Sequence, residues 1–523
     1  MVADESQPSD LRRAAIVVAI LIAATVAGLG VFVAKRQGNL AWDDADYLQR
    51  GLRLARMAQA TGLAGLPDSI VRTLRERPKP PMLIAWIEAL ALATGRQSLS
   101  AILLGATVVP YALLLLSVAI IARRLHDSRT SPIAVVCLLA SPMSLAYGGK
   151  VMVETFMSLW TLWTFYFAAR VLEKPTKPRA IGLGVALGLA TLTKITVVLF
   201  LTVPAVAWIV LLLRRRREIP IPRDLWAWIC LPALVIAGPW YALNLRETLA
   251  FAAESSRYNL LADSPLPTPP RWHRVIDLAE NLPGWPLLVA GGVTAVGAFA
   301  RRTRPSDPAP PAVGSNLTRL ALLGAGSGTL ILLLTSHFDP RFLLPVWPAL
   351  AVSLGGFLRA TTLRSGRAGA SIVYGAVAVG VAMSWTAMIR EPSSTTHWEA
   401  RQLIDDLTAT YQIRTLANIG DMPDWNVCKT GLINEFRANP SDCFVLFNLS
   451  QSRPEELETQ LGRLDAVVVL DREAFPPGHL EYLPGFNRAY GSVARALSQN
   501  RYDRVETPTL AGLPPLSVYV RRR

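Results

Sequence analysis

Six ionisable residues stand out because each falls in a short polar link beside a long apolar run. They are Asp43 and Asp44 in Trp42-Asp43-Asp44-Ala45-Asp46-Tyr47, Lys79 in Arg77-Pro78-Lys79-Pro80-Pro81, Glu154 after Tyr147-Gly148-Gly149-Lys150, Lys194 in Thr193-Lys194, and Arg341 in Ser336-His337-Phe338-Asp339-Pro340-Arg341-Phe342. Lys150 and His337 lie in the same links and are additional candidates. A carboxylate can take the proton from an acceptor hydroxyl, while Lys and Arg stabilise charge gathering on a departing phosphate. Arginine in particular grips phosphate oxygens at several points. On one face of a membrane, this set suits the splitting of a lipid-linked phosphate ester.

Each residue also has a plainer reading. Acids at the start of a helix are common caps, Lys79 next to an apolar segment can simply snorkel, and a lone histidine such as His337 is more often satisfied by a neighbour than bound to metal. Lys150, Glu154 and Lys194 sit at membrane depth or just outside it, where a charge is expensive unless it faces a wet cavity or a partner. Adjacent helical residues point about 100° apart, so Asp43 and Asp44 are expected to do different jobs.

The elements that must position these links are membrane helices. The chain has 523 residues, 51% hydrophobic and 17% charged, and its apolar residues fall in runs near the roughly 20 residues that cross a bilayer. This excludes a disordered or fibrous protein and argues against a soluble enzyme. Eleven runs are expected to span: Ala14–Ala34, Leu99–Ala122, Pro132–Tyr147, Phe156–Val171, Ala180–Leu192, Ile195–Leu213, Leu225–Leu243, Pro286–Ala300, Leu320–Thr335, Phe342–Ala360 and Ala368–Ile389. The first reads as an uncleaved signal anchor. Ala180–Leu213 is 34 residues long, about 51 Å as one helix, so a turn near Lys194 is expected. Pro81–Thr94 is too short to span and is expected to be an interfacial or re-entrant helix, which makes residues 35–98 the first external loop.

Charge orients the helices. The formal net charge is +15, but Met1–Arg390 holds 39 Lys and Arg against 21 Asp and Glu, whereas Glu391–Arg523 holds 14 against 17. With the N-terminus in the cytoplasm, the basic links Arg123/Arg124/Arg129, Lys174/Lys177/Arg179, Arg214–Arg217, Arg301/Arg302/Arg304/Arg319 and Arg359/Arg364/Arg367 all fall inside. That accounts for the basic surplus without nucleic acid. The expected fold is therefore a polytopic α-helical membrane module over residues 1–390, in a bacterial inner membrane, followed by a periplasmic α/β domain over residues 391–523. Strands are expected at Arg414–Gly420, Cys443–Asn448, Ala466–Asp471 and Ser517–Val520, with helices at His397–Tyr411 and Pro454–Leu464. Cys137 and Cys230 are expected to pack as small hydrophobes, and Cys428 and Cys443 could form a disulfide.

Taken in order, the acidic pair after the first run, Lys79-Pro80 with Trp86 following, Glu154 after the third run, Thr193-Lys194 at the next outer turn and Arg341-Phe342-Leu343-Leu344-Pro345 resemble the GT-C glycosyltransferase superfamily. The likeness is greatest to the protein O-mannosyltransferase and lipid A aminoarabinose transferase group, over Asp43–Pro348. The resemblance implies transfer of a sugar from a polyprenyl-phosphate carrier, on the periplasmic side and with inversion, to a glycan, lipid or protein acceptor. It implies that Asp43 acts as base or orients the acceptor with Asp44 beside it, that Glu154 is the second acidic position, and that Lys79, Lys194 and Arg341 hold the donor phosphate. Glu154 stands where relatives often carry Asp, and Asp46 where they often carry a basic residue. The need for a divalent metal is left open. A secondary transporter or a polysaccharide polymerase or ligase are the alternatives; transporters usually show paired inverted halves and sites at the midplane, which this pattern lacks.

Overall fold

The computed structural model describes residues 8–36, 40, 42–62, 65–75, 79–95, 98–216, 218–261, 271–292, 315–334, 339–390, 399–419, 432, 442–445, 461, 464–470, 493–495, 497–499, 502–505 and 516–522. His337, Cys428, Arg217, most of the Pro454–Leu464 helix and the expected run beyond residue 292 lie outside the described residues.

Helices follow most of the expected runs, because in lipid a helix satisfies its backbone polar groups internally. They are α1 (Pro8–Arg36), α5 (Leu99–Leu125), α6 (Thr130–Leu139), α7 (Pro142–Gly148), α8 (Val153–Glu173), α9 (Lys177–Thr193), α10 (Val197–Arg215) and α11 (Leu225–Leu261), then the helices Ser315–Leu334 and Trp347–Arg390. Six described helices are long and apolar enough to cross a membrane. Counting α6 and α7 as one span, broken by an 81° bend, makes seven. The segments expected to span at Phe156–Val171 and Ala180–Leu192 form α8 and α9 but fall outside this count; α9 has only 17 residues.

The first loop carries three more helices, α2 (Trp42–Thr61), α3 (Leu66–Arg75) and α4 (Met82–Thr94). α4, too short to span, is packed against its neighbours: Leu83, Ile84, Ile87 and Ala91 are buried. The reason is a close approach on both sides. A Cβ at Gly51 of α2 would lie 2.5 Å from Ile87 Cγ2, and Trp86 Nε1 donates to the Gly105 carbonyl of α5 at 2.9 Å. Glu88, the one charge on α4, is buried and accepts from Thr73 Oγ1 of α3 at 2.9 Å.

The polar link expected at Arg359–Arg367 is helical, within a helix of 44 residues; no proline interrupts it after Pro348. Its contacts nevertheless run away from the first loop and back. Near its start, the Leu344 carbonyl accepts from Ser158 Oγ of α8 at 3.0 Å. Arg359 then lies 3.6 Å from Asp127, beyond the far end of α5, and Trp385 returns to pack on Gly28 of α1. The turn expected near Lys194 is present: α9 stops at Thr193 and α10 starts at Val197. Glycines bring α9 close to both neighbours, with Phe167 of α8 on Gly182 and the Ile229 and Ala233 backbone of α11 on Gly184 and Gly188. Cys137 is buried as expected, whereas Cys230 is exposed on the helix surface.

The C-terminal part forms a five-stranded sheet in the order β2-β1-β3-β5-β4, from β1 (Thr415–Ile419), β2 (Asp442–Val445), β3 (Ala466–Leu470), β4 (Tyr502–Val505) and β5 (Leu516–Arg521). β2, β1 and β3 are parallel, and β5 and β4 add antiparallel. Leu403, Ile404 and Leu407 of the helix Glu399–Tyr411 share its core with Val467, Val468 and Val518. The unexpected strand is β4: two of its four residues are charged, the composition of an edge strand, and Tyr502 secures it by donating to the Leu461 or Leu464 carbonyl at 2.6 Å.

Candidate active site

Asp43, Asp46, Tyr47 and Arg50 recur at helical spacing on one face of α2. Pro80 and Pro81 set a stiff entry to α4 and leave Lys79 facing that row. The Lys79 ammonium donates to Asp43 Oδ1 at 2.8 Å and Asp46 Oδ2 at 3.0 Å, and lies 4.7 Å from the centre of the Tyr47 ring. Arg50 Nε donates to the other Asp46 oxygen at 2.8 Å.

Arg341 arrives from the far end of the sequence on a short 3-10 turn, Pro340–Leu343, capped by the Asp339 carboxylate, which accepts from the Arg341 amide at 3.0 Å. Arg341 Nε is 2.7 Å from Asp339 Oδ2, and Nη1 is 3.7 Å from Asp43 Oδ2. Phe342 connects this group to the last pair. Arg341 and Lys194 both lie over its ring, at 5.4 and 5.1 Å, and Lys194 donates to Glu154 Oε1 at 3.0 Å. Glu154 is 1% exposed, and its Oε2 has no hydrogen-bond partner among the described residues.

Five of the six principal candidates therefore meet at one end of the bundle: Asp43, Lys79, Glu154, Lys194 and Arg341. Asp44 does not join them. It is buried on the neighbouring face of α2 and accepts from the Val151 amide at 2.5 Å, tying α2 to the entry of α8. Lys150 lies 5.2 Å from the Tyr147 ring, whose hydroxyl feels the charge of Arg341. Asp46, Arg50, Tyr147 and Asp339 are members that attention to single motifs passes over. For Asp46 and Arg50 the signal was available, at three and seven residues from Asp43.

The charges are mutually supporting. Burial pushes the Asp43 carboxyl up, but the charge and hydrogen bond of Lys79, with Arg341 and Lys194 adding, hold it below its ordinary value. Burial likewise opposes ionisation of Asp46, and Lys79 and Arg50 outweigh it. Burial pulls Lys79 down, yet Tyr47, Asp43 and Asp46 raise it, so it stays protonated at any physiological pH. Among the described residues no three His, Cys, Asp or Glu side chains come together as metal ligands. Asp43 and Asp46 are both bonded to the Lys79 ammonium.

Residues 79–242 match the family model of dolichyl-phosphate-mannose-protein mannosyltransferase, a stretch that takes in Lys79, Glu154 and Lys194. No curated protein sequence matches the chain. Among solved structures, ArnT from Cupriavidus metallidurans bound to undecaprenyl phosphate is similar over 96% of this chain and 97% of its own, with a TM-score of 0.57 at 14% identity. Its apo form gives 0.55 over the same shares, also at 14% identity. The oligosaccharyltransferase AglB from Archaeoglobus fulgidus is more distant, with a TM-score of 0.48 at 11% identity over 96% of this chain and 74% of its own. The fold is thus of the GT-C type, as the order of the loop motifs implied. The likeness is to the mannosyltransferase and aminoarabinose transferase type.

Proposed function

We propose that this protein is a membrane glycosyltransferase that moves a sugar from a polyprenyl-phosphate-linked donor to an acceptor hydroxyl, with inversion. The observation that carries the proposal is the pairing of Asp43 with Lys79 and Arg341: an ionised carboxylate is held beside two cations suited to a phosphate. In the transfer, Asp43 takes the acceptor proton as the acceptor oxygen bonds to the anomeric carbon. The bond from that carbon to the phosphate oxygen breaks on the opposite face, and its electron pair leaves with the lipid phosphate. Lys79, Lys194 and Arg341 stabilise that phosphate. Glu154 holds Lys194, while Asp44 positions the entry of α8.

Gathering of the charges at helix ends supports an enzyme of the bilayer surface over a transporter with a midplane site. In this reading the chain crosses a bacterial inner membrane about eleven times, with its N-terminus cytoplasmic and both the cluster and the C-terminal sheet outside. The alternation of contacts along Trp347–Arg390 supports two of those crossings, and the positive links support the orientation. The acceptor is a glycan, lipid or protein hydroxyl.

The test is mass-detected sugar transfer by the purified protein from polyprenyl-phosphate donors. Release of lipid phosphate coupled to a glycosylated acceptor is expected; failure to consume any such donor would count decisively against the proposal.

A further inference from the structure

The transfer as drawn leaves Asp46 and Arg50 without a task, although Asp46 is only 7% exposed and touches Lys79 directly. Its two oxygens are divided: Oδ2 accepts from Lys79 at 3.0 Å and Oδ1 from Arg50 at 2.8 Å. Asp43, Lys79, Asp46 and Arg50 therefore form one chain of alternating charge. Lys79 has three N–H groups. Two are engaged by carboxylates and the ammonium also lies against the Tyr47 ring. A phosphate that takes more than the third N–H of Lys79 displaces a carboxylate, and the two are not equivalent. Asp43's other cation, Arg341, is 3.7 Å away, while Arg50 is already in hydrogen-bond contact with Asp46. Asp46 keeps a hydrogen-bonded cation when it lets go, whereas Asp43 keeps only the looser Arg341 contact.

The chemistry gives that competition a purpose. The donor phosphate is a diester with one negative charge. Bond cleavage turns it into a monoester, whose second ionisation falls near pH 6, so it leaves with close to two. The cations that hold the donor hold the spent carrier more tightly. Without a competing anion the enzyme would be trapped on its product.

Resting on the sugar-transfer reading, we propose that Asp46 is a positioning residue that competes with phosphate for Lys79, that Arg50 takes up Asp46 while phosphate is bound, and that this exchange sets how readily the spent lipid phosphate departs.

The experiment measures the affinity of undecaprenyl phosphate for the full-length protein in detergent micelles, and its inhibition constant in turnover. Asp46→Asn, with Asp46→Ser as the second variant, should bind about tenfold more tightly because the competitor is gone. Arg50→Ala should bind about tenfold more weakly, because Asp46 then stays on Lys79, and Arg50→Lys should restore most of the affinity. In the double variant Asp46→Asn/Arg50→Ala the effect of the Arg50 change should vanish. Weaker binding in both Asp46 variants, or an Arg50 effect that persists without Asp46, overturns the exchange while leaving sugar transfer intact. A wild-type protein that does not bind undecaprenyl phosphate overturns both.

Discussion

Lys194 and Glu154 share a 3.0 Å hydrogen bond in which the acid is sealed, at 1% exposure, and the ammonium is not, at 24%. The asymmetry says which partner is expensive to strand. Removing Lys194 leaves a buried carboxylate without its cation, so Lys194→Ala should destabilise the protein by about 3 kcal/mol or more. The double variant Lys194→Ala/Glu154→Gln should recover most of that loss, since no charge is then stranded. Thermal unfolding in detergent reads both, and a single variant as stable as the double would remove the pair's structural role. Turnover should fall in both cases, because each lacks a cation beside Phe342.

The depressed pKa of Asp43 predicts a pH dependence. Its ordinary value is 3.8, and the cations hold it lower in the fold. The base form is therefore fully present at neutral pH, and the acid limb of kcat/KM should lie below pH 3.8 or be hidden by denaturation. The stability it contributes is present above the unfolded value and is lost as pH falls through the folded one. Lys79→Ala should move the acid limb upward, because burial then acts with less opposition. Asp43→Asn should lower turnover by about 10²- to 10⁴-fold at every pH while lipid-phosphate binding survives. Near-normal turnover would take Asp43 out of the catalytic role.

Asp44 predicts a different phenotype from its neighbour. It bonds the Val151 backbone amide, so Asp44→Ala strands the Val151 N–H and should cost about 1–3 kcal/mol. Turnover should fall through displacement of Glu154, three residues further on. Asp44→Asn retains an acceptor oxygen and should recover most of the stability. If Asp44→Asn were as inactive as Asp43→Asn yet fully stable, Asp44 would belong with the catalytic acids.

The sequence made the helices readable because lipid imposes one rule on every run, and it made the cluster readable because charge at membrane depth is costly without a partner or a wet cavity. The turn at Lys194 followed from length alone, since the run was too long for one crossing and had polar flanks. What could not be read were relationships set by packing. The packing of α4 depends on two glycines, Gly51 and Gly105, whose missing side chains are filled by Ile87 and Leu90; nothing in the local pattern of Met82–Thr94 marks those contacts. The separation of Asp43 from Asp44 was expected from helical geometry, but the partner of Asp44 lay 107 residues away. The link at Arg359–Arg367 has three arginines and one glycine, yet carries no proline to stop a helix, and it is helical.

Gly51 makes the register of α2 on α4 a testable cause of activity. At Gly51 an added Cβ would sit 2.5 Å from Ile87 Cγ2 and 3.1 Å from the Ile84 carbonyl oxygen, so α2 cannot keep its place if that position gains bulk. Gly51→Val should cost about 1–3 kcal/mol through overpacking. Because Asp43 and Asp46 ride on α2 while Lys79 leads into α4, the same shift should pull the acids off the ammonium and lower turnover well beyond the loss of stability. Ile87→Ala opens space opposite the new side chain, and combining it with Gly51→Val should restore turnover more than it restores the melting temperature. A Gly51→Val protein that is destabilised but turns over at the wild-type rate would show that the acid row and Lys79 keep their distance by some means other than this helix contact.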